Sequence, residues 1–322
     1  MCTTTFSMDS EKIPVIDFSS YRRIPGDSSE TRLRLVDEVH QALTTIGFMY
    51  LKNHGIASAH VEKMFKVSRK FFSLSNDIKM KYATNVAQRD SEHGFVQTEG
   101  ERLDTSIPHG DLKESFNYVN GDKEKPMPDE ELPEFREILL DFYKQCTELS
   151  LTLLDIMGQG LNMDDPRLFL KTHTGVDGGD NDTTLRTLYY PSIPENLTIK
   201  EGQQRCGIHT DYGSLTLLFQ DTAGGLEVMN RSGEWVSATP IEDTVLVNIG
   251  DMMQRWTSDT LKSTKHRILM PTTREAKSKE RQSIAFFVLP DKDVIVKCTD
   301  NSDKYPPIKA TDYLLQLLAA TY

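Results

Sequence analysis

The chain has 322 residues and a mass of 36.6 kDa, enough for one large domain or two modest ones. Acidic residues outnumber basic ones by 48 to 37, and this excess disfavours a general nucleic-acid binder, which needs a basic surface. No apolar run is typical of a signal peptide or membrane span, and the four cysteines are far apart, so we expect a reduced cytoplasmic protein.

The amino-terminal part of the chain alternates short apolar runs with amphipathic patterns. Residues 13–18 and 47–53 are typical of strands. Between them apolar residues recur at helical spacing, after an Asp27 and Glu30 pair that suits a capping box. A second helix is predicted from near Ser58.

The longest helical pattern covers about residues 133–157, and Gly158 and Gly160 are predicted to end it. A loop rich in Gly and Asp follows at residues 175–182. Its spacing of acidic residues does not match an EF-hand, so we interpret it as a mobile connection rather than a calcium site.

From residue 183 to 290 the pattern changes to many short apolar runs separated by turn residues. Examples of the turns are residues 230–233 and the Gly250–Asp251 pair. Strands at this spacing indicate a sandwich or barrel. The simplest interpretation is an α+β chain with a double-sheet jelly-roll core (a double-stranded β-helix), flanked by helices and preceded by a mixed α/β region.

Residues 206–220, CGIHTDYGSLTLLFQ, contain the first candidate for chemistry. His209 and Asp211 lie two residues apart, which places them on one face of a strand with Cα atoms roughly 6.6 Å apart. The plain alternative is a polar face of an exposed strand. If the two residues are metal ligands, His266 is the best third ligand, since it begins another predicted strand of the same region. Two histidines and one carboxylate form the facial triad that binds Fe(II) and leaves positions open.

A second pair lies further along the chain. Arg281 and Ser283 fall on one face of a predicted strand, where a guanidinium and a hydroxyl could hold a carboxylate. The alternative is a surface arginine beside a serine. Tyr190, at the end of TLRTLYYP, offers another hydroxyl.

With these residues in place, the chain resembles the isopenicillin N synthase-like branch of the Fe(II)/2-oxoglutarate-dependent dioxygenases. The motifs that carry the resemblance follow the family order from residue 12 to 322, namely KIPVIDF, GFMYLKNHGI, FFSLSNDIKMKY, GFVQTEGE, YYP, HTD, GGLEV, VNIGDMMQRWTSD, KSTKHR, Arg-x-Ser and YPPIKATDYL. The resemblance implies an amino-terminal α/β region over 12–172, the jelly-roll core over 183–292, and a carboxy-terminal tail and helix over 293–322.

The resemblance also implies the roles of the candidate residues. His209, Asp211 and His266 would bind Fe(II). Arg281 and Ser283, with Tyr190, would hold the distal carboxylate of 2-oxoglutarate. The enzyme would then use O2 to couple decarboxylation of 2-oxoglutarate to hydroxylation or desaturation of a small organic substrate.

Three further residues are candidates for the substrate wall. Phe287 and Leu188 share faces with the residues above, and Phe287 could equally be plain core. Leu188 stands where many plant members of the family have Asn, which predicts a more apolar wall. Arg186 could anchor an anionic substrate, but pairing with an acidic residue is the favoured interpretation.

Two alternatives for the function stay open at this point. One is an isopenicillin N synthase-type oxidase that uses Fe(II) and O2 without 2-oxoglutarate, with Arg281 and Ser283 holding the substrate carboxylate. The other is a module that binds 2-oxoglutarate without turnover. The sequence identifies neither the substrate nor the oligomeric state, for which a monomer is plausible.

Overall fold

A computed structural model describes residues 12–22, 29–84, 92–119, 122, 125–177 and 181–321. The helices of these residues are α1 (Ser29–Thr45), α2 (Ser58–Phe72), α3 (Asn76–Met80), α4 (Phe135–Gly160), α5 (Leu168–Lys171), α6 (Asp251–Trp256), α7 (Arg274–Lys277) and α8 (Ala310–Thr321). The first seven strands are β1 (Val15–Asp17), β2 (Phe48–Lys52), β3 (Gly94–Val96), β4 (Glu114–Val119), β5 (Thr184–Tyr190), β6 (Cys206–His209) and β7 (Leu215–Gln220). The other seven are β8 (Leu226–Met229), β9 (Trp235–Ser237), β10 (Thr244–Ile249), β11 (His266–Ile268), β12 (Arg281–Val288), β13 (Ile295–Val296) and β14 (Ile308–Lys309).

Two sheets form the core that the sequence predicted. The larger has the strand order β1-β2-β10-β7-β12-β5-β4-β3, and the smaller has the order β6-β11-β8-β9. Side chains from both sheets pack into one apolar cluster between them, which includes Tyr190 and Ala285 from the larger sheet and Cys206 and Val228 from the smaller. The expected jelly roll flanked by helices is therefore confirmed.

The larger sheet is continuous across the amino-terminal and core regions. Strand β2 pairs antiparallel with β10, and β4 pairs antiparallel with β5 over six residue pairs from Glu114↔Tyr189 to Val119↔Thr184. The second face of this sheet packs on helices α1, α2 and α4, where Ile284 and Phe286 of β12 join the main apolar cluster. Strict alternation along β12 thus sends Arg281, Ser283, Ala285 and Phe287 toward the other face, between the two sheets.

Helix α4 continues three residues beyond its predicted end. Gly158 lies inside the helix, so its interpretation as a stop was wrong, whereas Gly160 is the last helical residue and the helix ends there. Both glycines are also closely packed: a Cβ on Gly158 would lie 2.0 Å from the carbonyl oxygen of Pro166, and one on Gly160 would lie 3.0 Å from Cβ of His40.

The predicted turn, the predicted capping box and the Gly- and Asp-rich loop have different outcomes. The predicted turn at Gly250–Asp251 is the start of α6. The Asp27 part of the predicted capping box lies outside the described residues, as do residues 178–180 of the Gly- and Asp-rich loop, whose interpretation as a mobile connection stays a prediction. Among the residues that the structure describes, no helix is long and apolar enough to cross a bilayer.

Candidate active site

The structure brings His209, Asp211 and His266 together between the two sheets. His209 ends β6, His266 begins β11, and the two are paired directly in the antiparallel register. Their Nε2 atoms lie 3.9 and 3.6 Å from Oδ1 of Asp211, and one potential ligand atom from each of the three side chains lies within 4.8 Å of the others. Two imidazoles and one carboxylate around a common point form a donor set that suits a divalent transition metal with open positions.

Hydrogen bonds to the backbone fix the orientation of both imidazoles. Nδ1 of His209 lies 2.8 Å from the carbonyl oxygen of Gly207, and Nδ1 of His266 lies 3.1 Å from that of Thr264. Since a carbonyl can only accept, each Nδ1 carries the proton and donates it. Each Nε2 is then left with a lone pair that faces Asp211, which is the arrangement that metal ligation requires.

The carboxylate of Asp211 is oriented in the same way. Its Oδ2 accepts from Oγ1 of Thr216 at 2.6 Å and from Nδ2 of Asn248 at 2.7 Å. These two bonds occupy one oxygen and leave Oδ1 directed at the two histidines. The three side chains are therefore preorganised before any metal binds.

The electrostatics of the triad favour the protonation states of metal ligands. Burial, reinforced by the neighbouring His266, lowers the pKa of His209 to about 3, so this imidazole is neutral at physiological pH. Burial opposes ionisation of Asp211, but His266, His209 and the bonds from Asn248 and Thr216 together hold its pKa below the ordinary value. A neutral His209 and an ionised Asp211 result.

Arg281 is the second predicted group, and it is completely buried. Its Nε donates to the carbonyl oxygen of Gly224 at 2.8 Å, Nη1 to Oγ of Ser283 at 3.1 Å, and Nη2 to Oε1 of Gln220 at 3.1 Å. Every one of these acceptors is uncharged. No carboxylate of the described residues forms an ion pair with Arg281, so no protein anion compensates the charge of this buried guanidinium.

Tyr190 completes this group as the sequence predicted. It pairs with Arg281 across β5 and β12, and the guanidinium lies 4.7 Å from the centre of its ring. Its side chain also interacts with Ser283 by a hydrogen bond, while burial raises the pKa of its hydroxyl and keeps it protonated.

Sequence reasoning missed a second buried cation beside this group. Arg205, which is 5% exposed, donates from Nη2 to the carbonyl oxygens of Pro191 and Lys279, and its buried Nε has no hydrogen-bond partner. Burial first, and then the charge of Arg281, lowers its pKa. Two neighbouring guanidiniums and an unsatisfied N–H fit an anion with more than one oxygen, as the distal carboxylate of 2-oxoglutarate would supply.

A cavity of about 270 Å³ opens beside His209 and Asp211. Its polar lining includes Glu92, Glu101, Asp122, Asp182, Arg186 and Lys292, and its apolar lining includes Leu103, Val119, Phe287, Leu289, Leu314, Leu315 and Leu318. The last three leucines come from α8, so the carboxy-terminal helix forms part of the wall. Besides Asp211, four carboxylates face two cations, and the lining is therefore acidic.

The three predicted wall residues have different positions. Phe287 and Arg186 both line the cavity, with the guanidinium 5.5 Å from the centre of the Phe287 ring. Arg186 also pairs with Glu101 at 3.1 Å, as favoured from the sequence. Leu188 packs in the cluster between the sheets and is not among the described residues that line the cavity; its contact with substrate stays a prediction.

Two family models match the chain in succession. Residues 13–136 match the amino-terminal region described as non-haem dioxygenase in morphine synthesis, and residues 181–290 match the 2OG-Fe(II) oxygenase superfamily. A 2-oxoglutarate-dependent dioxygenase of Aspergillus rugulosus, htyE, is 32% identical over 88% of this chain and 89% of its own length. The chain belongs to the 2OG-Fe(II) oxygenase superfamily.

Other relatives of this oxygenase agree. The proline hydroxylase buaE of Petromyces alliaceus is 33% identical over 90% of both chains. Among solved structures, a full-length protein of Neurospora crassa in complex with alpha-KG (2-oxoglutarate) has a TM-score of 0.85 and 34% identity, with 98% of each chain covered. The same Neurospora crassa protein in complex with alpha-KG and thymine has a TM-score of 0.84 and 32% identity. The oxygenase is therefore a 2-oxoglutarate- and Fe(II)-dependent dioxygenase, and these relatives favour that activity over both alternatives left open by the sequence.

Proposed function

We propose that His209, Asp211 and His266 are the Fe(II) ligands of this dioxygenase. The observation that supports the assignment is the common point to which two Nε2 atoms and one carboxylate oxygen are directed. The opposite edges of the three side chains are all held by hydrogen bonds to the protein. The donor set contains no thiolate and leaves room for further ligands, which suits Fe(II) better than a closed structural zinc site.

The group of Arg281, Ser283 and Tyr190 is proposed to hold the distal carboxylate of 2-oxoglutarate, with Arg205 as a second source of positive charge. The support is electrostatic. Arg281 is fully buried, its protein partners are neutral, and an anion would compensate the charge that the fold leaves unpaired. Ser283 and Tyr190 would add hydroxyl groups to the guanidinium.

When bound, iron and 2-oxoglutarate supply the oxidising chemistry of the family, and the protein supplies geometry. His209, Asp211 and His266 would hold the metal and would leave room for further ligands. Thr216 and Asn248 keep one oxygen of Asp211 out of the metal site, so the carboxylate offers a single ligand atom. The leucines of α8 contribute apolar surface to the cavity wall, which disfavours water beside the metal site.

The lining of the cavity indicates the class of primary substrate. Its excess of carboxylates disfavours an anionic substrate, because the anion would be desolvated beside like charges. Burial raises the pKa of Glu92 although Arg186 opposes the effect, and the carboxyl group can accept a hydrogen bond from a substrate N–H. Phe287 offers an aromatic face. We propose a small, neutral, planar heterocycle with N–H and C=O groups, of which a pyrimidine base such as thymine is the first to test.

A coupled-turnover assay tests this function. The purified full-length oxygenase would be incubated with Fe(II), 2-oxoglutarate and O2, and succinate would be measured with thymine, uracil, L-proline or benzoate present. We expect pyrimidines to stimulate succinate formation and to be oxidised, and His209→Ala to abolish both. Stimulation by benzoate alone would contradict the substrate class, whereas full activity of His209→Ala would contradict the metal assignment.

A further inference from the structure

A buried lysine outside the predicted site connects the metal site with the substrate wall. Lys113, which immediately precedes β4, is 3% exposed. Its Nζ donates to Oδ2 of Asp111 at 2.6 Å and lies 2.8 Å from Oε2 of Glu101, and both carboxylates are at most 5% exposed. Burial disfavours the charge of Lys113, but Cys206, Glu101 and Asp111 hold its pKa well above the ordinary value. Burial raises the pKa of Asp111, and the charge of Lys113 opposes that effect, so the lysine is a buried cation held between two carboxyl groups.

Asp111 connects this network to a metal ligand. Strand β6 is an edge strand, and its pairing with β11 contains a register shift between His266 and Ile268. From Cys206 to His209, β6 advances three residues while β11 advances two, which is the signature of a bulge. An edge strand leaves part of its backbone groups without ladder partners, and Oδ1 of Asp111 accepts from the N–H of Gly207 at 3.0 Å.

The same residue orients His209. The carbonyl oxygen of Gly207 accepts the Nδ1 proton of His209 and so sets the tautomer and the direction of that imidazole, while Asp111 holds the N–H of Gly207 on its other side. Gly207 is also confined sterically, because a Cβ on this residue would lie 2.7 Å from Cβ of Asp104. A small displacement of Gly207 would therefore be transmitted directly to Nε2 of His209.

Glu101 connects the network to the substrate wall. Its Oε1 accepts from Nη1 of Arg186 at 3.1 Å, while Nε of Arg186 donates to Asn117 at 2.8 Å. Lys113 thus joins two carboxylates. Asp111 contacts the backbone next to the proposed metal ligand His209, and Glu101 contacts the guanidinium of Arg186 in the cavity wall. Two positive and two negative charges compensate one another within the group.

We propose that Asp111, held by Lys113, is a positioning residue for the metal ligand His209. It acts by accepting a hydrogen bond from the N–H of Gly207 in the edge strand β6, and it thereby fixes the residue whose carbonyl directs the imidazole. This inference rests on the proposed role of His209 as a metal ligand. Packing of the interior does not by itself explain why residues 111 and 113 are charged, because an apolar pair of similar volume would fill the same space. The proposed role gives these charges a function.

A matched pair of double variants tests the proposal. Asp111→Asn with Lys113→Met removes one charge of each sign and keeps an oxygen acceptor for Gly207 N–H. Asp111→Ala with Lys113→Met has the same charge balance but no acceptor. Both variants leave Glu101 paired with Arg186. The affinity of the apo proteins for Co(II), a redox-stable probe, would be measured by calorimetry, together with the thermal unfolding midpoint.

We expect the Asp111→Ala double variant to bind Co(II) about 10- to 100-fold more weakly than wild type, and the Asp111→Asn double variant to recover most of that loss. Equal affinities in the two double variants would overturn the proposal, whatever their unfolding midpoints. The variant His209→Ala separates the metal assignment from the role of Asp111. If His209→Ala binds Co(II) with the affinity of wild type, the assignment of His209 as a metal ligand fails. If His209→Ala loses Co(II) affinity while the two double variants bind Co(II) equally well, only the role of Asp111 is refuted.

Hydrogen exchange of the wild-type protein decides the question if the double variants do not fold. A peptide that covers residues 203–210 would be followed by mass spectrometry in the apo protein. The bond from Gly207 N–H to Asp111 requires that this amide be protected, although it lies in an edge strand. Rapid exchange of the Gly207 amide in the folded protein would overturn the proposal.

Discussion

Replacement of Arg281 by lysine should weaken the binding of 2-oxoglutarate while it leaves a positive charge in place. The guanidinium is fixed by three donors, of which Nε bonds to Gly224, Nη1 to Ser283 and Nη2 to Gln220. A lysine ammonium is a compact charge on an unbranched stem and cannot reproduce a planar fork held in this way. Loss of one charge-assisted hydrogen bond to the distal carboxylate costs about 1.5–3 kcal/mol, or roughly a 10- to 150-fold increase in Kd.

Calorimetric titration of the anaerobic Fe(II) protein with 2-oxoglutarate and with pyruvate provides the assay. Pyruvate has the same 2-oxo acid end but no distal carboxylate, so Arg281→Lys should weaken only 2-oxoglutarate. Arg267→Lys is the matched control, because this arginine pairs with Glu227 and lies over the Trp235 ring. An equal loss for both ligands would show that the variant disturbs the whole site, and unchanged affinity for 2-oxoglutarate would refute the proposed role of Arg281.

Three further predictions concern the substrate wall, the helix packing and the pH dependence of stability. Phe287→Leu should raise the KM of a pyrimidine substrate about 5- to 10-fold by removing the aromatic face, with the Kd of 2-oxoglutarate unchanged; a parallel rise in that Kd would contradict the assignment. Gly158→Ala should lower the free energy of unfolding in urea by about 1–3 kcal/mol, because the new Cβ meets the backbone of Pro166. Gly160→Ala should lower it less, because its Cβ meets only the side chain of His40. Equal losses of free energy in the two variants would contradict the packing argument. Burial lowers the pKa of His173 to about 4, so the unfolded state binds a proton near pH 6.5 that the folded state refuses, and stability is lost as the pH falls below that value. This group should destabilise the protein by roughly 2 kcal/mol between pH 7 and pH 5, and His173→Gln should show a smaller pH dependence of unfolding; an identical dependence would refute the argument.

Prediction from the sequence was most accurate for site residues whose arrangement follows from the two-residue repeat of a β-strand. Alternation along a strand placed Arg281, Ser283 and Phe287 on one face, and the structure directs all three between the sheets. His209 and Asp211 were also found from their spacing, although Asp211 lies in the loop after β6 rather than on the strand itself. The distant His266 was identified because it begins a strand in the same region. Its direct pairing with His209 could not be predicted, because a local sequence pattern does not show which strands are neighbours.

Residues that act through long-range pairing were missed. Glu101, Asp111 and Lys113 lie in a stretch whose polar composition is typical of an exposed loop, and only the pairing of β4 with β5 places them in the interior. Arg205 precedes the HTD motif but belongs to no repeating pattern of apolar and polar residues. Gly158 of α4 was misinterpreted because the absence of a Cβ suits a helix end and a close approach equally well, and the sequence alone does not show that Pro166 packs against this residue.

The continuity of the larger sheet limits how this enzyme can be recombined with its relatives. Residues 181–290 match one family model, yet within the sheet their strands β10 and β5 are bordered by β2 and β4, which come from residues before that segment. A chimaera with a break at residue 181 would have to reproduce cross-strand contacts such as Leu246 with Tyr50 and Ser115 with Leu188. Exchange of α8 crosses none of these strand pairs, so we expect the carboxy-terminal helix to be the segment through which substrate range can be changed most readily.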